Sequence, residues 1–248
     1  MDDNLFAAAV EERLTRRAPL AARLRPRKLD EVVGQRHLLG EGKPLRVLIE
    51  SDRLSSVVLW GPAGTGKTSV ARLVAGATKK SFETLSAVNA GVKDVREVVD
   101  RARDRLGQQS RGTILFLDEV HRFNRTQQDA LLPHVEDGLL VLIGATTENP
   151  YFSLTGPLLS RSTLFRLDAL EAADLVTLLE RALGDRTRGL GDEPAEIERE
   201  ALEHLATRAE GDARHALTCL ELAHALAIER AAPGGASRRQ AGVESDTP

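Results

Sequence analysis

The segment Gly61-Pro62-Ala63-Gly64-Thr65-Gly66-Lys67-Thr68 restricts what this chain can fold into more than any other feature. It follows an apolar run, Ser56 to Trp60, and leads into a helical run, Ser69 to Ala77. A glycine, four residues and then Gly-Lys-Thr, set between a buried strand and a helix, is the pattern of a phosphate-binding loop. The glycines let backbone N–H groups curl around a β-phosphate, and the start of the helix adds the positive end of its dipole. In this reading Lys67 reaches the β and γ oxygens and the Thr68 hydroxyl coordinates Mg²⁺. A purely structural glycine turn is the alternative, and it explains neither the lysine and threonine nor the elements on either side.

Such a loop needs a parallel sheet beneath it, and the apolar runs supply one. Ser56 to Trp60, Thr113 to Leu117 and Leu139 to Ala145 are short, rich in Val, Ile and Leu, and bounded by turn residues, as strands covered on both faces are. Ser81 to Val88 is a weaker candidate. Between them Val92, Val95, Val98, Ala102 and Leu106 fall on one helical face. Alternation of strand and helix implies an α/β fold, a parallel sheet flanked by helices. After Leu167 no strand candidate remains, and helical stretches at Glu171 to Leu183, Ile197 to Ala209 and Asp212 to Arg230 read as a small helical lid domain. The expected division is therefore a basic arm over 1–28, a nucleotide-binding domain over 29–167, the lid over 168–231 and a disordered tail over 232–248, where composition turns polar and rich in Gly and Pro.

The run Ile114 to Leu117 delivers Asp118 and Glu119 to the carboxyl end of a strand, where open α/β sheets bind their ligands. Alone, an Asp-Glu pair is common and often superficial. Downstream of this loop, Asp118 is expected in the Mg²⁺ shell and Glu119 beside the water that attacks a γ-phosphate. Guanine recognition commonly uses an Asn-Lys-x-Asp element; none is present, which points to adenine and hence to ATP. His121, in Asp-Glu-x-His, invites a helicase reading, but those enzymes hold ATP between two similar domains and no second α/β pattern exists here. It is read as packing or coupling beside the acidic pair, and His134, His204 and His215 show no metal-ligand spacing.

With 34 basic and 37 acidic side chains the net charge is −3, so the chain as a whole is no electrostatic partner for nucleic acid and any DNA contact must be local. The densest basic stretch, Arg13, Arg16, Arg17, Arg23, Arg25, Arg27 and Lys28, is either such a contact or a solvated face. The single cysteine, Cys219, lies in an apolar helical pattern and is expected in the core. No run approaches the roughly 20 apolar residues of a membrane span, and the reading is a soluble, cytoplasmic protein without a membrane partner.

Several blocks carry a resemblance. Pro19 to Pro26 with Leu29 to Gln35 resembles the adenine-contacting segment of clamp-loader-type AAA+ ATPases. With Gly61 to Thr68, Asp118 to Asn124, Gln127 to Gly138 and Gly144 to Pro150, the chain closely resembles the replication-associated recombination protein family, related to the eukaryotic Werner-helicase-interacting ATPase. The similarity runs from about Leu5 to Ala225. It implies an AAA+ fold, ATP and Mg²⁺ as ligands, and action on single-stranded or forked DNA at stalled forks. It also implies replication proteins as possible partners, nucleoid association and a homo-oligomer assembled through a further C-terminal region, whereas this chain turns polar after about Arg230.

Residue by residue, the resemblance assigns Gly34 and Gln35 to the base and Ser69 to the nucleotide-binding loop. Thr147, or else Asn149, takes the sensor position that orients the water. Arg161 takes the arginine that reaches a neighbouring subunit's γ-phosphate, and Arg214 the second sensor, in the lid. Surface pairing with carboxylates is the plain alternative for both arginines. A protein unfoldase would need an aromatic pore residue in Asn89 to Lys93, which has none, and an enhancer-type activator would need a Gly-Ala-Phe-Thr-Gly-Ala insertion, absent here. A non-hydrolysing nucleotide switch, or remodelling of a protein rather than DNA, are the other readings. Asn4-Leu5-Phe6 is either a loose sliding-clamp peptide or a short hydrophobic anchor.

Overall fold

In the computed structural model, residues 17–193, 195 and 197–231 are described. The expected tail over 232–248, Asn4-Leu5-Phe6, and Arg13 and Arg16 of the basic stretch lie outside them. The described residues form two compact units, 26–170 and, with 17–25, the segment from 171 onward.

The larger unit is built on a five-stranded sheet, β1 (Val57–Trp60), β2 (Ser81–Ser86), β3 (Thr113–Asp118), β4 (Leu140–Thr146) and β5 (Thr163–Arg166), in the order β2-β3-β4-β1-β5. Every pairing is parallel. The three central strands are β3, β4 and β1, the three that read as apolar runs. Their alternate residues feed two cores. Val57, Leu59, Ile114, Phe116, Ile143 and Ala145 join the layer beneath the helices Arg36–Leu39, Pro44–Glu50 and Lys67–Ala77. Val58, Leu115, Leu117, Leu140 and Leu142 join the layer beneath Val92–Gln109 and Arg125–Glu136. Burial on both faces is why these strands are continuously apolar. β5 escapes sequence reading because it is four residues long and only Phe165 is buried.

Local signals account for the helix ends. In Val92–Gln109 the Asp94 carboxylate accepts the Gly91 N–H (2.7 Å), and Ser110, at φ 51°, turns the chain out. Asn124 and Gln127 cap Arg125–Glu136 reciprocally, each side-chain oxygen accepting the other's backbone N–H. The helix after the phosphate loop begins at Lys67, two residues earlier than the apolar pattern suggests.

The smaller unit packs the helices Ala172–Gly184, Arg199–Arg208 and Ala213–Ala231 around Leu175, Leu179, Leu202, Ala206, Leu217 and Leu220. The segment 17–25, expected as part of a solvated arm, belongs to this unit. The helix Leu20–Arg23 buries Leu20, whose N–H donates to both Glu221 carboxylate oxygens at 3.1 Å. Arg23 donates to Gly189 O (3.0 Å) and pairs with Glu221. A guanidinium spent on structure is a poor DNA contact, so Arg23 leaves the expected basic patch, whereas Arg27 is exposed. Cys219 is half-buried rather than in the core.

Glu83, on the edge strand β2, pairs with Arg101 (3.1 Å) and Arg105 (2.5 Å) with its side chain 17% exposed. Burial works to raise its pKa, but the two guanidiniums outweigh burial and hold it below the ordinary value of 4.5. A depressed carboxylate pKa stabilises the fold above the ordinary value, and the stabilisation is lost as pH falls through the depressed one. Glu83→Gln is therefore expected to cost about 1–3 kcal/mol at pH 7. In urea denaturation the gap between wild type and variant should close well below pH 4.5; a gap that stays constant with pH would refute this.

Candidate nucleotide-binding site

Parallel strands place all their carboxyl ends on one edge, and the candidate residues follow from that. β4 lies between β1 and β3, with Trp60 opposite Thr146 and Leu117 opposite Gly144. Gly61 therefore leaves β1, and Asp118 leaves β3, on either side of the end of β4. The Gly61 N–H donates to Thr146 O (3.2 Å) and ties the loop to that strand.

Gly61 has to be glycine. Its φ is +149°, and a Cβ there would sit 2.1 Å from Leu167 O. Gly64 and Gly66 also have positive φ, 68° and 100°. Thr65 is buried, its hydroxyl donating to Pro62 O at 2.9 Å. Lys67 Nζ donates to Gly61 O (2.7 Å) and Pro62 O (2.6 Å), which sets the ammonium across the mouth of the loop. Lys67, Thr68 and Ser69 form the first turn of the helix, whose leading N–H groups have no intrahelical acceptor. The positive-φ glycines around Ala63, the helix start and Lys67 fit the anion cradle expected of residues 61–68.

Gln35 is buried at φ 52°, next to Gly34 at φ 67°. Its amide N–H₂ donates to Asp168 O (2.8 Å) and Thr65 O (3.4 Å), and its amide oxygen accepts the Asp168 N–H (3.1 Å). Gln35 therefore brackets the loop against the chain leaving β5. Its side-chain amide is thus spent on bracing, and any contact of Gly34 and Gln35 with a base falls to their backbone.

Asp118 ends β3, and its Oδ1 accepts the Glu119 N–H (3.1 Å). Glu119 stands in the left-handed region, φ 55°, a conformation that costs a non-glycine residue about 1 kcal/mol or more and is common where function dictates geometry. Among the described residues no three His, Cys, Asp or Glu side chains converge to hold a metal alone. A Mg²⁺ held by Thr68 and Asp118 fits that composition, because Mg²⁺ usually takes one or two protein ligands and completes its shell with phosphate oxygens and water.

The two expected sensor residues lie just past the end of β4. β4 runs one residue further than its apolar run, so its last residue is Thr146, fully buried. Thr147 is exposed beyond the strand. Asn149 is exposed too, and its side chain accepts the Tyr151 N–H (3.1 Å) to cap the helix Pro150–Ser153. Thr146, at the strand end itself, has its Oγ1 2.9 Å from His121 Nδ1 and accepts the Glu148 N–H (3.0 Å). Direct attachment to the run Leu142–Ala145 was the signal for it.

Arg161 follows the helix Gly156–Ser160, pairs with Glu136 and donates to Pro157 O (3.0 Å). Both side chains line a surface cavity of about 550 Å³ with Ser55, Ser56 and Leu140. These residues sit at or before the starts of β1 and β4, at the edge opposite the loop. The site chemistry therefore lies away from that cavity. Arg214 is an exposed residue of the first turn of Ala213–Ala231 in the smaller unit, and its N–H donates to Asp212.

Residues 57–167 match the family model of the ATPase family associated with various cellular activities (AAA). The chain is 50% identical over 212 residues to replication-associated recombination protein A of Haemophilus influenzae, covering 85% of this chain and 47% of that protein. It is 51% identical over 211 residues to the protein of that name from Coxiella burnetii, again 85% and 47%. It thus spans about half the length of these curated relatives. Among solved structures it resembles the Thermotoga maritima RuvB Holliday junction branch migration motor, with a TM-score of 0.65, 30% identity, and coverage of 80% of this chain and 64% of that one.

Gly61→Ala is expected to abolish nucleotide binding and to cost more than about 2 kcal/mol, because the new Cβ meets a backbone oxygen. Gly76→Ala, in the helix Lys67–Ala77 with nothing within 4 Å of the added atom, is the control and should be neutral or slightly stabilising. Titration with a fluorescent ATP analogue, together with urea denaturation, separates the two; equal behaviour would refute the close-approach argument.

Proposed function

We propose that this chain, a homologue of the replication-associated recombination proteins A that carries an AAA domain, binds ATP with Mg²⁺, hydrolyses it, and couples the hydrolysis to DNA in replication-associated recombination. The observation that carries the reading is the convergence of Lys67, Asp118 and Glu119 on one sheet edge around the end of β4. The loop N–H groups and Lys67 hold the β and γ phosphates. Thr68 and Asp118 would hold Mg²⁺, which when bound would neutralise charge developing on those oxygens. Glu119 accepts a proton from a water as it attacks the γ-phosphorus in line: the new P–O bond forms, the bond to the β–γ bridging oxygen breaks, ADP and phosphate leave, and the proton passes from Glu119 to solvent. Arg214 is assigned to the lid's response to nucleotide. The DNA part rests on the relatives' names, and single-stranded and forked DNA are the substrates to compare.

Lys67→Ala is expected to weaken ATP binding strongly, while Glu119→Gln leaves binding close to wild type and blocks turnover. ATP titration and phosphate release, with and without forked DNA, measure both. Equal loss of binding in the two variants would remove Glu119 from the role of base.

The position of Arg161 supports action on another subunit. Four residues of β1 at about 3.3 Å each put roughly 13 Å between its two ends, beyond what an arginine at the far edge spans to its own γ-phosphate. A finger supplied in trans contributes roughly 10³ to 10⁵ in turnover. Turnover per protomer is therefore expected to rise with protein concentration. Arg161→Ala should flatten that rise with nucleotide affinity unchanged. A rate independent of concentration and equal in both proteins would reduce Arg161 to a surface residue.

A further inference from the structure

The catalytic reading leaves one side chain in the site without a task. His121 follows Glu119 by two residues, in the 3₁₀ turn Val120–Arg122, and its side chain is only 8% exposed. Its Nδ1 lies 2.9 Å from Thr146 Oγ1 and 3.3 Å from Glu119 Oε2, and its Nε2 is 3.8 Å from Glu148 Oε1. A histidine placed only for packing would not need three polar partners on two segments, Glu119 on one and the turn Thr146–Glu148 on the other.

Proton accounting decides which ring nitrogen carries hydrogen. Nδ1 is hydrogen-bonded to Thr146 Oγ1 and stands 3.3 Å from Glu119 Oε2, and because a carboxylate can only accept, an N–H at Nδ1 is what turns that approach into an attraction. The Thr146 hydroxyl then accepts from Nδ1–H and from the Glu148 N–H, and turns its own proton towards Glu148 O at 3.4 Å. Every hydrogen in that scheme has an acceptor. The opposite tautomer sets a bare Nδ1 3.3 Å from the Glu119 carboxylate, whereas this one leaves the bare Nε2 at the longer 3.8 Å from Glu148. Thr146 is also the residue whose carbonyl accepts the Gly61 N–H, so the ring reports on the strand that holds the phosphate loop.

We infer that His121 is a positioning residue: it donates from Nδ1 to Glu119 and Thr146 and makes the place of the water-activating carboxylate depend on the turn Thr146–Glu148. This rests on the reading of Glu119 given above. The Glu119 side chain is 38% exposed, so without that donor its carboxylate is free to swing into solvent. A displacement of about 1 Å at a reacting group costs on the order of 10²-fold in rate.

His121→Ala is expected to lower kcat about ten- to a hundredfold with the KM for ATP unchanged. His121→Asn, whose amide N–H can stand where Nδ1 stood, should recover part of that loss, and His121→Gln, which reaches towards Nε2 instead, should not. Thr146→Val added to His121→Ala should lower the rate less than it does alone. An independent readout needs no turnover: in the wild-type full chain the ring nitrogen shifts of the neutral imidazole, assigned by loss in His121→Asn, should report the Nδ1–H tautomer. An Nε2–H tautomer, a wild-type kcat in His121→Ala, or equal rates for the Asn and Gln variants would overturn the inference. Normal turnover in Glu119→Gln would instead overturn the premise, and the two failures are distinguishable because they arise in different proteins.

Discussion

The hydrogen bond from the Gly61 N–H to Thr146 O joins the two strand ends on which the candidate site is built. It exists because β1 and β4 are parallel neighbours in register, and because Gly61 passes Leu167 O with no side chain to intervene. From that junction the phosphate loop goes one way. The other way lies Asp118-Glu119, one strand further on. Gln35 secures the far side by bonding Thr65 and Asp168. A loop bound at both ends keeps its N–H groups aimed at an anion before one arrives, so little reorganisation remains to oppose binding.

That rigidity comes from the layers beneath. β1, β3 and β4 are covered on both faces, and their backbone polar groups are spent on one another in the ladder. Only the strand ends have groups to spare. The functional side chains therefore collect at the edge, and a non-glycine residue such as Glu119 can be held at φ 55° by the packing of Val120 and Phe123 behind it. The two arginines are placed by other constraints. Arg161 stands at the opposite edge beside Glu136, and Arg214 opens a helix of the smaller unit, whose core is its own.

The same physics explains what reading residues in order could reach. A phosphate loop is contiguous, its glycines and lysine lie within eight residues, and flanking apolar and helical runs confirm it. The acidic pair is legible for the same reason. Strand β5 was not, since three of its four residues are not buried. The part played by Thr146 was not legible either, because the apolar run stops at Ala145 while the ladder continues one residue further. Arg23 read as one of seven basic residues in a solvated stretch, although its partners, Gly189 and Glu221, lie well over a hundred residues away.

By itself, then, the sequence determined the α/β class, the phosphate loop and the carboxylates, because each depends on neighbours along the chain and on burial that leaves a periodic trace. Tertiary structure alone decided that the Gln35 side chain braces the loop, that Thr146 is the strand-end hydroxyl, that His121 lies between it and Glu119, and that Arg161 stands at the edge away from the loop. Those facts depend on which strands lie side by side and in what register. A hydrogen bond between residues 25 or 133 positions apart leaves no pattern in the chain that makes it.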